Sequence, residues 1–285
     1  MMTSADDRSF SNVLALLRAG RDSSDLGTND LSEASWRGVE LFAVNLAGIQ
    51  FDRADLAGAS LVNANLSEAN LQGANLQGAD LRGADLRGAN LGDADLTGAF
   101  LNRTDLRRAN LSTATLAEVQ LQIALYDSDT QWPEGFGYKS SGAVGPRANL
   151  NGAFLNTANL RGVDLHGARM LGTYLSGTDL TEANLRGASL SSACLQQAFL
   201  TGACLREARL CGAELQGVDF RAADLTDADL SDVASIAGAD FGMVQGLSDD
   251  TRAMLLGRPR EELGTWNAFT RRTTGQSLEL GSGTG

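Results

Sequence analysis

The sequence predicts an all-β solenoid, a stack of coils built from one short unit used many times over. Two observations carry this. From Asp30 onward a large apolar residue, nearly always Leu, recurs every five positions, with a small residue two places before it and Asp or Asn often one place before it; residues 69–88 read ANLQG ANLQG ADLRG ADLRG. The composition agrees: Leu and Ala dominate, aromatics make up only 6% of the 285 residues, and there are 33 Gly and 3 Pro. A repeat of this kind signals a solenoid whose units bury their apolar side only against neighbours.

A period of five fits neither a helix nor a strand. The pattern needs the central residue and the small residue two before it to point inward, and the other three outward. If each unit makes one short side and one corner, four units close a coil of twenty residues, and coils stack through backbone hydrogen bonds at ~4.8 Å.

Residues 1–29 are an N-terminal segment, in which 10–18 (FSNVLALLR) have helical apolar spacing and are expected to cap the first coil. The first repeat block covers 30–121, with central positions Leu31, Trp36, Leu41, Leu46, Phe51, Leu56 and onward in fives to Leu121. The second covers 148–242, through Leu150, Leu155, Leu160, Leu165, Met170 and Leu175 to Leu230. A slip of one residue after Leu230 then puts the last repeats on Ile236 and Phe241. Leu121 and Leu150 lie 29 positions apart, not a multiple of five, so 122–147 is read as an inserted loop. Residues 243–285 are read as a C-terminal helix and a partly disordered tail: Ser248 suits an N-cap before acidic Asp249 and Asp250, and Gly257-Arg258-Pro259 a stop.

These tandem A-(D/N)-L-x-x units resemble the pentapeptide-repeat family over about residues 30–121 and 148–242. The resemblance implies a right-handed quadrilateral β-helix, here with an N-terminal helical cap and a C-terminal helix and tail. Thr130–Phe136 is similar to T-x-(W/F)-P-x-G-F segments of cyanobacterial members. Some members of the fluoroquinolone-resistance type act on DNA gyrase as acidic DNA mimics, often as dimers through a C-terminal helix. The resemblance says less about function than about fold.

The formal net charge of −12 argues against direct nucleic-acid binding and against adhesion to anionic membrane. No apolar run approaches a membrane span, and MMTSADDRSF lacks the layout of a signal peptide, so a cytoplasmic setting is expected. Chemistry finds little purchase. His166 is the single histidine, which excludes His-based metal sites needing two; Cys194, Cys204 and Cys211 do not share a face; and no phosphate-binding Gly-rich loop is present. No catalytic, cofactor or metal residue is expected.

Candidate partner-binding residues fall into four groups. Trp132, Phe136 and Tyr138 lie in the inserted loop, where they either contact a partner or fold back over the phase break. Phe154 and Tyr174 are twenty apart and should stack as an exposed aromatic patch. Arg186 and Arg206 should stack with His166 as a basic ladder, with Asp164, Glu207 and Asp224 near enough to neutralise it. Trp266, Phe269, Arg271 and Arg272 give the tail the composition of a docking peptide, unless it packs along the last coil. The expected function is a non-enzymatic protein–protein interaction scaffold or adaptor. The alternative is an acidic DNA mimic of gyrase, and an end of the rod is a candidate homodimer contact.

Overall fold

A computed structural model describes residues 13, 15–17, 19 and 29–279, which fall into two compact units, Met1–Val144 and Gly145–Gly285. Both are built from the same coil. Single parallel bridges join residues twenty apart, as in Asp80↔Phe100 and Asp164↔Asn184, one bridge on each side of a four-sided coil. Each bridging residue precedes a central residue. Its N–H and C=O both reach back to the preceding coil, while the residues on either side of it reach forward: Asp80 N–H donates to Ala59 O at 2.9 Å and Asp80 O accepts from Leu61 N–H at 2.7 Å, whereas Leu81 N–H donates to Phe100 O at 2.8 Å and Ala79 O accepts from Phe100 N–H at 2.9 Å.

The corner explains the rest of the unit. Ala84 N–H donates to Leu81 O at 2.9 Å, closing a turn whose third residue lies in the left-handed region, as Gly83 does at φ 70°. Glycine takes that conformation without strain. The Asp or Asn before the central residue accepts from the backbone N–H two residues on, as Asp95 does from Thr97 at 2.9 Å, so this position stabilises the turn. The same side chains also bond between coils: Asn90 Nδ2 donates to Asn70 Oδ1 at 3.2 Å, and Asn110 Nδ2 to Asn90 Oδ1 at 3.1 Å.

The core of each unit is a column of central residues flanked by small ones, fully buried at Leu81 and Ala84 alike. Trp36 and Phe51 occupy central positions and meet edge to face at 5.2 Å; Phe220 and Phe241 stack at 5.2 Å in the second unit. Where Thr replaces the small residue its hydroxyl is satisfied by the preceding coil: Thr104 donates to Leu81 O at 3.0 Å and Thr178 to Leu155 O at 2.7 Å. This removes most of the cost of burying it.

Two β-branched residues, Ile123 and Thr157, occupy left-handed corner positions, and Ile123 is the bulkier. Ile123 sits at φ 64°, where a β-branched side chain crowds the backbone. Replacing it by Asn, which tolerates this region, is expected to stabilise the first unit by about 1 kcal/mol. A urea midpoint that falls instead would mean that the packing of the Ile side chain outweighs its strain.

The departure from the repeat is narrower than 122–147. Leu125 bridges Asp105 and Val144, Gln131 bridges Asn110, and Tyr126 is buried at the next central position, five after Leu121. The ladder therefore continues past Leu121, with an aromatic residue in place of Leu. A one-residue slip follows, since Gln131 lies twenty-one after its partner. Within 122–147 only residues 133–140, including a 3-10 turn at Tyr138–Ser140, stand outside the repeating pattern, and Gly142 O again accepts from Ile123 N–H at 2.9 Å. The slip after Leu230 is present as read, with Glu214↔Ser235 and Asp219↔Asp240 each twenty-one apart.

At the N-terminus residues 13 and 15–17 are helical, with Val13 and Leu17 buried; the remainder of the expected 10–18 cap lies outside the described residues, as does the 281–285 tail end. The C-terminal segment holds more structure than one helix and a loose tail. It comprises α1 (Asp249–Leu256), α2 (Arg260–Leu263), an antiparallel Trp266↔Thr273 bridge and α3 (Thr274–Glu279). Ser248 caps α1 as expected, its Oγ accepting from Thr251 N–H at 3.1 Å.

This segment covers the last coil of its unit. Arg258 donates to Val233 O and Ala234 O, both at 3.0 Å. Glu262 Oε1 accepts from Ser235 Oγ and Ile236 N–H, both at 2.6 Å. Asn267 Nδ2 donates to Gly238 O at 2.7 Å, Thr274 Oγ1 to Ile236 O at 3.1 Å, and Ser277 Oγ accepts from Phe241 N–H at 3.0 Å. A solenoid end exposes unpaired backbone groups that template association. Here polar side chains occupy those groups one by one, and Leu255 and Leu278 are fully buried in the cap.

Candidate functional site

The side of the second unit that carries Phe154 is distinctive for what it lacks. The ladder runs Phe154, Tyr174, Cys194, Glu214, one residue per coil. Beside it the outward positions after the central residues are Asn156, Ser176, Gln196 and Gln216. The first three rungs carry no charge. Phe154 is 73% exposed and Tyr174 43%, and their rings stack face to face, 4.6 Å between centroids and 2° between planes. The stack follows from register: side chains at equivalent positions of successive coils are one strand spacing apart. Leu171, also exposed, lies three positions before Tyr174.

The other candidates lie in more settled surroundings. Arg186 pairs with Glu207 at 2.8 Å, Arg206 with Asp224 at 3.3 Å, and His166 Nδ1 with Asp164 at 3.0 Å. The basic ladder is thus matched residue by residue with acids and presents no unopposed positive stripe. Trp132 stacks on Tyr138 at 5.2 Å and on Phe136 at 5.6 Å, and both Trp132 and Tyr138 meet buried Tyr126 edge to face. All three candidates there are half-buried, so this cluster packs onto its own unit. In the tail, Arg272 is half-buried: its Nη1 and Asp240 Oδ1 lie 3.0 and 2.9 Å from where a Cβ on Gly242 would sit. Arg271 is exposed in the turn that follows Asn267. The tail is therefore a folded part of the second unit rather than a free peptide. Trp266 and Phe269 nonetheless remain 57% and 54% exposed, and Phe269 meets Phe199 edge to face at 4.9 Å.

Charge elsewhere is interleaved. Arg82 binds Asp80, Arg87 binds Asp85, and Arg107 binds Asp105, each through paired contacts of 2.5–2.8 Å. In the second unit Arg221 grips Asp219 at 2.9 and 2.7 Å. Burial alone would raise the Asp219 carboxyl. Hydrogen bonds from Arg221 and Thr201, with the charge of Arg221, outweigh burial and hold it below the usual carboxylate range.

Among the described residues no group of three or more His, Cys, Asp or Glu is placed to hold a metal ion. The three cysteines are free, and Cys194 Sγ lies 3.2 Å from Ser176 Oγ. No described helix is long and apolar enough to cross a membrane.

A four-sided β-helix with a turn every five residues defines a class of repeat protein, and the family model for pentapeptide repeats matches eight copies, over residues 49–88, 89–122, 147–173, 170–206 and 203–234. These matches cover more than half of the chain, and it belongs to the pentapeptide-repeat family. Similar solved structures include HetL of Nostoc sp. strain PCC 7120, a pentapeptide-repeat protein involved in heterocyst differentiation regulation. It is 29% identical over 76% of this chain and 89% of that one, with a TM-score of 0.33. The pentapeptide-repeat protein alr5209 from Nostoc PCC 7120 is 31% identical over 47% of this chain and 92% of that one, with a TM-score of 0.21. QnrB1, a plasmid-mediated fluoroquinolone resistance protein, is 20% identical over 78% and 95%, with a TM-score of 0.28. Membership rests on the repeat match and not on these superpositions. No curated protein sequence matches the chain.

Proposed function

We propose that the protein is a non-enzymatic interaction scaffold or adaptor, and that the Phe154–Tyr174 stack is its principal protein contact. The observation that carries this is an exposed aromatic pair on a rigid side whose first three rungs carry no charge. Aromatic rings in such a setting bury large area at little entropic cost, and no charge there must be stripped of water. The exposed faces of Trp266 and Phe269 are a second apolar feature. The paired positions of Arg186 and Arg206, and the packed cluster of Trp132, Phe136 and Tyr138, support supporting rather than leading roles for those residues.

The gyrase-mimic alternative draws on the net charge of −12. A DNA mimic needs a run of unneutralised anions spaced like phosphates. Arginines set against Asp80, Asp85, Asp105 and Asp219 break such a run.

The test compares the intact protein with a Phe154→Ser/Tyr174→Ser variant in quantitative capture from native lysate. A partner recovered by the intact chain should fall about tenfold or more with the variant. Equal recovery by both would reject the stack as the contact, and inhibition of gyrase supercoiling would favour the mimic.

A further inference from the structure

The tail does not lie flat on the coil it crosses. Between the Trp266–Thr273 hairpin and the side of the second unit that carries Gln196 and Gln216 there is an open cavity of about 350 Å³. That lies at the lower end of the range for small-molecule sites. Trp266 and Phe269 line it from the hairpin, and Gln196, Gln197 and Gln216 from the coils. No residue of its lining carries a charge.

We propose that this cavity binds a neutral saccharide. Three observations converge. The lining itself carries no charge and the adjoining Glu214 carboxylate is anionic, which sets aside phosphates and carboxylates. It combines two aromatic rings with three amide side chains. Amides offer donors and acceptors, Gln196 fewer than the others because its Nε2 already donates to Glu214 Oε2 at 2.9 Å, and each ring offers an apolar face. A sugar ring is the complementary object: its C–H faces pack on aromatic carbon while its hydroxyls donate and accept around the rim. The third observation is local. Gln216 Oε1 is buried without a hydrogen-bond partner among the described residues. An acceptor in that state costs free energy, and a turn of the Gln216 side chain on binding would bring it to a ligand hydroxyl.

The cavity is also preformed. Asn267 anchors the hairpin from both ends of its side chain: Nδ2 donates to Gly238 O at 2.7 Å, and Oδ1 accepts from Phe269 and Thr270 N–H at 2.9 and 3.0 Å. Gly238 permits the close approach, since a Cβ there would meet Trp266 O at 3.3 Å. The rings are thus held in place before any ligand binds, and little ordering opposes binding. Both rings are more than half exposed while Asn267, Thr274, Ser277 and Leu278 of the same segment are buried, which leaves the ring faces open to a ligand.

The experiment titrates the intact protein with maltotriose, cellotriose and mannotriose, and with 3′-sialyllactose and a decaproline peptide as comparators. Ligand-observed saturation-transfer NMR and tryptophan fluorescence report binding; Trp266 is the exposed tryptophan, since Trp36 is buried and Trp132 half-buried. Saturable binding of at least one neutral trisaccharide is expected. It should weaken about tenfold in Gln216→Ala and in Trp266→Ala, with both variants melting as the parent does, and stay unchanged in Phe154→Ala. Should a variant melt early, Gln196→Ala, which alters an exposed side chain on the same wall, replaces it. Absence of binding by all three neutral sugars overturns the proposal. So does binding that none of the cavity variants weakens, or binding of decaproline alone.

Discussion

Leu81→Asp is expected to unfold the first unit or drive it into aggregates. Leu81 is fully buried at a mid-block central position, and its carbonyl already accepts from Thr104. A carboxylate there would have no countercharge within the core and would forfeit the packing of the Leu above and below. Each effect is large, and together they are worth about 4 kcal/mol or more. In a one-dimensional stack the loss falls on the interfaces with both neighbouring coils, so it is not confined to one unit of the repeat. The control is the adjacent residue. Arg82 points outward and pairs with Asp80 across exposed surface, so Arg82→Ala should leave the thermal transition essentially unmoved. Circular dichroism melts of the two variants decide the matter: similar losses at 81 and 82 would contradict the inward and outward assignment on which the whole register stands.

That assignment was legible because it depends only on spacing. Leu at every fifth position, small residues two before and turn-forming Asp or Asn one before are local requirements of a corner and a side. The twenty-residue stacking of Phe154 on Tyr174 follows once four sides are granted. Reading stopped short at Leu121 because Tyr126 and Trp132 are aromatic and Thr130 is polar. The signal was nevertheless present in Ala124 and Tyr126, which keep the spacing of a small residue two before a central one, and the hydroxyl of Thr130 is satisfied by Leu106 O at 3.0 Å. The pairing of Arg186 and Arg206 runs diagonally between coils, to residues twenty-one and eighteen away, and becomes decisive only when side-chain reach is known. The cavity beside Trp266 was not legible at all. It exists because a hairpin of no marked periodicity is pinned by Asn267 to Gly238, a contact across 29 residues that composition does not announce.

The cap on the last coil yields the second large effect, and its pH dependence has a definite sign. Glu262 bonds Ser235, Ile236 and Arg258, and Arg258 bonds Val233 O and Ala234 O. Its side chain is only 11% exposed. Burial by itself would raise the Glu262 carboxyl, but the hydrogen bonds from Arg258, Ser235 and Ile236, with the charge of Arg258, outweigh it and bring it to about 2, from an ordinary 4.5. A carboxyl lowered on folding binds fewer protons in the native state. Its contribution is therefore complete above about pH 4.5 and is lost as pH falls towards 2, an amount on the order of 3 kcal/mol. Glu262→Gln should remove most of this at pH 7 and flatten the corresponding part of the acid limb between those values, measured by urea unfolding at a series of pH. Arg258→Ala should go further, because it releases two edge carbonyls as well as an acidic partner. With the edge of the last coil bared, backbone groups that the cap now occupies become available to a second molecule, and concentration-dependent association in sedimentation velocity is expected. A variant that associated no more than the parent and kept its acid limb would show that the helices and Leu255 hold the cap in place without the Arg258–Glu262 pair.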